Sequence, residues 1–158
     1  GQQMTFQSQE RKRLFKTYNF LYSRPKFDGI NSIECFYCGD SATQLDHCPP
    51  LNWVESKTIK QWKEQHINFF LVSCCSQCNR KMSDKPLFTL LEKLIFAVKY
   101  LENLYEKEAN LWSEEEIAEM SIPFQKTIRA RKKLSQLLLD RVQFAQHRLA
   151  KFQYIEED

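Results

Sequence analysis

The sequence predicts an α+β protein, mainly helical, organised around a centre that carries paired cysteines. Three observations lead there. Two identical Cys-x-x-Cys pairs, Cys35/Cys38 and Cys75/Cys78, lie mid-chain. Apolar residues recur at helical spacing on both sides of them. One short β-branched and aromatic run, Ile67 to Val72, precedes the second pair. Only three glycines in 158 residues argue against a turn-rich all-β fold, and this length suits one domain with a helical appendage.

The elements follow in order. From Gln7 to Tyr22, Leu14, Tyr18, Leu21 and Tyr22 mark a basic amphipathic helix that Ser23-Arg24-Pro25 ends, giving an N-terminal segment over 5–26. Between Phe27 and Leu51, Gly29, Gly39, Asp40 and two prolines break the chain into short extended pieces and turns. Ser56 to His66 carries helix formers behind a possible N-cap at Ser56, and the run from Ile67 reads as a buried strand. After Pro86 the stripe Leu87, Leu90, Leu91, Leu94, Val98, Leu101, Tyr105 predicts a long helix, with Ser83-Asp84 as cap, closing a central segment over 27–108. In the remainder, 109–158, Ser113 with Glu114, Glu115 and Glu116 starts a short helix, since carboxylates suit a helix N-terminus. A long helix from about Pro123 to Phe152 carries Leu138, Val142, Ala145, Leu149 and Phe152 as an apolar seam. That seam fits a partner helix within the chain or in a second chain.

The net charge of +3 hides segregation. Residues 1–30 carry +4, residues 31–100 carry +1, residues 101–120 carry −6, and residues 121–151, with eight basic and one acidic residue, carry +7. Basic segments flanking a near-neutral centre suit a polyanion such as DNA; solvated helix faces are the alternative. No run of about eighteen apolar residues exists and no secretory leader pattern opens the chain, so a cytoplasmic location without a membrane partner is expected.

Four thiolates from two such pairs surround zinc tetrahedrally, because each short knuckle turns both sulfurs toward one ion. The alternatives are a disulfide framework, which needs an oxidising compartment, and four unrelated thiols. Only Cys75, and not Cys74, keeps the two-residue spacing to Cys78; Cys48 reads as a small buried residue. The pairs are separated by 36 residues, more than the roughly fifteen to twenty of a common zinc ribbon, so something folds between them.

The stretches "CFYCG", "LDHCPP", "HINFFLVSCCSQCN" and "CNRKMSDK", within about residues 33 to 86, resemble the HNH endonucleases of the ββα-metal type with zinc knuckles. The resemblance implies a zinc-stabilised ββα-metal core flanked by N-terminal and C-terminal helices. It also implies a structural zinc on the four cysteines and a separate catalytic Mg²⁺ or Mn²⁺. By position, His47 corresponds to the general base, Asp46 and Asn79 to the metal ligands, and Asn68 to the residue that steadies the histidine loop. The chemistry suits these types: a histidine titrates near neutrality and can take a proton from water, and hard oxygen ligands suit Mg²⁺ or Mn²⁺. Arg80, Lys81 and Lys85 are expected to meet backbone phosphates; the family places a lysine where Met82 stands, so that lysine's role shifts to Lys81 or Lys85. His66 reads as a helix-end residue, and Trp53, Trp62, Phe69 and Phe70 as core before base-stacking platforms. On the last helix, Arg129, Arg131, Lys132, Lys133, Arg141 and Arg148 are expected to grip DNA while the seam recruits a second protomer or a partner protein. An inactive zinc-stabilised nucleic-acid-binding module and a protein-interaction subunit are the rival functions.

Overall fold

Helix α1 spans Phe6–Tyr18, started by the Thr5 hydroxyl, which accepts from the Ser8 amide. The computed structural model describes residues 5–108 and 112–157, with side chains to Gln153. A 3-10 turn, Asn19–Leu21, tightens the end of α1, and the chain then runs beside Phe70 and Leu71, with the Leu71 amide donating to Ser23.

The first knuckle closes where the Cys35 amide donates to Asp40 and the Gly39 amide to Cys35, and the Phe36 amide ties it to Ser73. Strand β1 (Gln44–Cys48) pairs antiparallel with β2 (Phe70–Cys74), setting Asp46 opposite Val72 and His47 opposite Leu71. Between them lie a 3-10 helix, Leu51–Ser56, and α2 (Ile59–Glu64).

The cap of α2 is Thr58, in a reciprocal box with Gln61, and not Ser56, whose hydroxyl bonds back to the Trp53 carbonyl. His66 enters the left-handed region at φ 58°, and the Ile67 amide returns to the Trp62 carbonyl. These closing bonds draw Ile67 into the helix end, so the strand begins at Phe70 and runs on to Cys74, two residues past the predicted end.

Helix α3 (Ser76–Met82) follows directly, with Cys75 as its N-cap. Helix α4 (Leu90–Glu108) starts later than the stripe suggests, because the Thr89 hydroxyl, and not Ser83-Asp84, accepts from the first-turn amide of Glu92. Ser113 caps α5 (Glu114–Ala118) as expected, and α6 covers Ile122–Glu157. The result is a mainly helical α+β fold with a two-stranded antiparallel sheet and a cysteine cluster.

Two apolar clusters hold it. The larger joins both knuckles, Val72, Met82, Leu90, Leu94, Leu101 and the α6 residues Leu138, Val142, Ala145 and Phe152. The α6 seam is therefore filled within the chain, in the same cluster as the knuckles. The smaller cluster packs Leu14 and Tyr22 on Leu51 and Val54. Trp62 is fully buried, with ring contacts to Phe69 and Phe88.

Gly39 shows why α6 can lie so close. Its φ is +77°, and a Cβ there would stand 2.5 Å from the Phe144 ring of α6. Gly39→Ala should therefore combine left-handed strain with overpacking and lower the unfolding free energy by about 2 kcal/mol or more, read from urea denaturation.

Candidate metal centre and polar cleft

The four predicted cysteines converge. The sulfurs of Cys35, Cys38, Cys75 and Cys78 all lie within 4.8 Å of one another and all four residues are buried. A tetrahedral zinc with bonds of about 2.3 Å would set its sulfurs about 3.8 Å apart, so modest closure suffices. Cys74 packs beside the cluster, 4.0 Å from Cys35 sulfur to sulfur, and is not one of the four. Contact with Cys35, then with the other thiols, holds Cys38 and Cys78 well above the ordinary thiol range and Cys75 well below it. Four packed thiols resist full ionisation by mutual repulsion, and a divalent cation removes that resistance. These four cysteines can thus hold a metal ion such as zinc, with no position left for substrate. Burial pushes the Cys48 thiol up to about 12, consistent with an inert core residue.

A second feature opens beside it. A cleft of about 320 Å³ is lined by α1, by β1, by the turn after β1 and by the end of α3, and includes Arg11, Asp46, His47, Asn52, Asn79 and Asp84. Strand β1 presents Asp46 and His47, and α3 brings Asn79 to the same wall. The Asn79 amide nitrogen donates to Gln44 Oε1 at 2.6 Å, which anchors α3 to β1.

Asp46 is only 4% exposed. Its Oδ2 accepts from the Tyr37 hydroxyl at 2.6 Å and from Lys93 Nζ at 2.8 Å. Lys93, fully buried on α4, also donates to the His47 carbonyl at 3.1 Å. Among the described residues, the hydrogen bonds to the Asp46 carboxylate all fall on Oδ2.

His47 is half-buried against aromatic edges, with ring centroids 4.6 Å from Tyr22 and 5.8 Å from Phe15. Burial lowers its imidazole to about 4; Asp46 opposes this, while Arg11 and Lys93 reinforce it, so the ring is neutral at neutral pH. Its Nε2 meets Asn19 Oδ1 at 3.1 Å. An amide oxygen only accepts, so Nε2 carries the proton and Nδ1 the lone pair.

Other expected site residues are placed elsewhere. Asn68 is exposed ahead of β2 and does not line the cleft; Asn19 of the N-terminal segment meets the histidine instead. Met82 is buried in the core. Arg80 is exposed, Lys81 Nζ lies 5.5 Å from the Tyr100 ring and Lys85 Nζ 5.6 Å from that of Phe96, and none of the three lines the cleft.

On α6, Arg129 and Lys132 pair with Glu114 at 2.7 and 3.0 Å, while Arg131 and Lys133 stay exposed. Arg141 and Arg148 turn toward the first knuckle rather than outward.

Tyr37, Lys93, Asn19 and Arg11 are the site residues that sequence reasoning missed. Only two left a signal: Lys93 interrupts an apolar stripe, and Arg11 belongs to the basic first segment.

No protein-family model, curated protein or solved structure matches the chain. What the site can do therefore rests on its own geometry.

Two outcomes test that geometry. Purified protein should carry one zinc per chain by elemental analysis, whereas Cys35→Ser should lose it and melt at a lower temperature. Lys93→Met should cost about 3–5 kcal/mol in chemical denaturation by stranding a buried carboxylate, with part of the loss recovered in Asp46→Asn/Lys93→Met.

Proposed function

We propose that this chain is a metal-dependent endonuclease of the HNH type that hydrolyses DNA phosphodiester bonds, with His47 as general base. One observation carries the reading: Asp46, His47 and Asn79 line a single cleft. The order strand, strand, helix that presents them is consistent with it.

Neutral His47, held through Nε2 by Asn19, offers Nδ1 to a water molecule. Removal of the proton makes the water a nucleophile toward phosphorus. Arg11, at the rim on α1, is the cation that meets a backbone phosphate.

The carboxylate of Asp46, through Oδ1, and the carbonyl oxygen of Asn79 are hard donors of the kind Mg²⁺ or Mn²⁺ takes. When bound, such an ion supplies charge stabilisation at the phosphate and the departing 3′ oxygen. The zinc centre has a different task. It joins the segment carrying Asp46 and His47 to the segment carrying Asn79.

The Lys93 ion pair favours a second reading, because it already neutralises Asp46 and lowers the attraction for a divalent cation. On that reading the chain is a zinc-stabilised nucleic-acid-binding module without hydrolysis. A protein partner, or a second copy, would meet exposed Leu134 and Leu137 on α6.

Supercoiled plasmid with Mg²⁺ or Mn²⁺ separates the two. The parent should nick it, and a zinc-retaining His47→Ala variant should be slower by about a hundredfold or more. Binding without nicking by the parent, seen as a salt-sensitive gel shift, would select the binding module.

A further inference from the structure

Helix α6 turns two arginines inward over the cysteine cluster. Arg141 and Arg148 stand seven residues apart, on one helical face. Phe144 between them rests on Gly39, directly after Cys38, so this face covers the first knuckle. Arg148 stacks on Phe36, inside the Cys35-x-x-Cys38 loop, at 4.9 Å. Arg141 Nε and Nη2 are buried, with no hydrogen-bond partner among the described residues.

Burying part of a guanidinium without a carboxylate is costly, and arginine cannot relieve the cost by losing its proton. Zinc with four thiolates carries a double negative charge. We propose that Arg141 and Arg148 are the counter-charges of the metal centre, two cations set by α6 against that double charge, and that they raise its hold on zinc. The geometry agrees: Arg141 brings two unpartnered buried nitrogens to the α6 face that covers the first knuckle, and Arg148 lies on the Phe36 ring inside it.

Outer groups of this kind act on the ligands, not on the metal, by stabilising the ionised thiolates and fixing their orientation. The proposal rests on the cysteine cluster binding zinc and is independent of nuclease activity.

Zinc-loaded protein titrated with a metallochromic chelator tests it. The set is the parent, Arg141→Met, Arg148→Met, their double variant, Arg141→Lys, and Arg131→Met as an exposed control on the same helix. Each inward Met variant should retain zinc about tenfold less tightly, and the double variant less tightly than either. Arg131→Met should match the parent, and Arg141→Lys should lose less than Arg141→Met, because charge and not shape is the operative property. Circular dichroism at saturating zinc checks the fold; should Arg141→Met not fold, Arg148→Met and Arg141→Lys decide. Parent-like zinc retention in the folded Met variants overturns the proposal. So does equal loss in Arg141→Lys and Arg141→Met, or a parent that binds no zinc.

Discussion

The buried carboxylate of Asp46 is the constraint around which the centre of the molecule is arranged. Burying a carboxylate without partners is costly, and Tyr37 and Lys93 on Oδ2 supply them to Asp46, which is 4% exposed. Each partner comes from a different element. Tyr37 lies inside the first Cys-x-x-Cys loop, and Lys93 lies on the apolar face of α4. The carboxylate therefore links knuckle, sheet and long helix, and its geometry depends on the cysteine cluster being formed. Such a pair adds little net stability over an apolar core of the same shape, but it fixes where β1 sits, and with it His47.

Around that point the cysteine cluster and α6 divide the work of a core. The knuckles are short and rich in turns, and their apolar neighbours come mainly from α4 and α6 rather than from the sheet. Gly39 lets α6 approach, and Phe144 with the two inward arginines closes the approach. Helix α1 packs through the smaller cluster and brings Arg11 to the cleft, while Asn19, just past its end, meets His47. The cleft is thus walled by a helix remote in sequence from the cysteine motifs.

The charge pattern changes meaning in three dimensions. The strongly basic stretch 121–151 loses much of its outward charge: Arg129 and Lys132 pair with Glu114, while Arg141 and Arg148 face the knuckle. Lys126, Arg131, Lys133 and Lys151 remain exposed. The acidic segment before it is in part the intramolecular partner of the basic one.

The sequence by itself determined the parts whose cause is local. Two-residue spacing selected Cys75 over Cys74 and paired it with Cys78, helical periodicity located α1, α4 and α6, and Ser113 with its carboxylates located α5. Asp46 and His47 were legible as neighbours because their order is written in the chain, and both line the cleft. Tertiary structure decided what depends on distant segments. Asn19 reaches His47 across 28 residues and Lys93 reaches Asp46 across 47, and no spacing rule reports such contacts. The outward or inward sense of Arg141 and Arg148, the occupant of the α6 seam and the burial of Met82 were likewise settled by packing. A side chain's charge is a property of its residue, but which way it points is a property of what its element packs against.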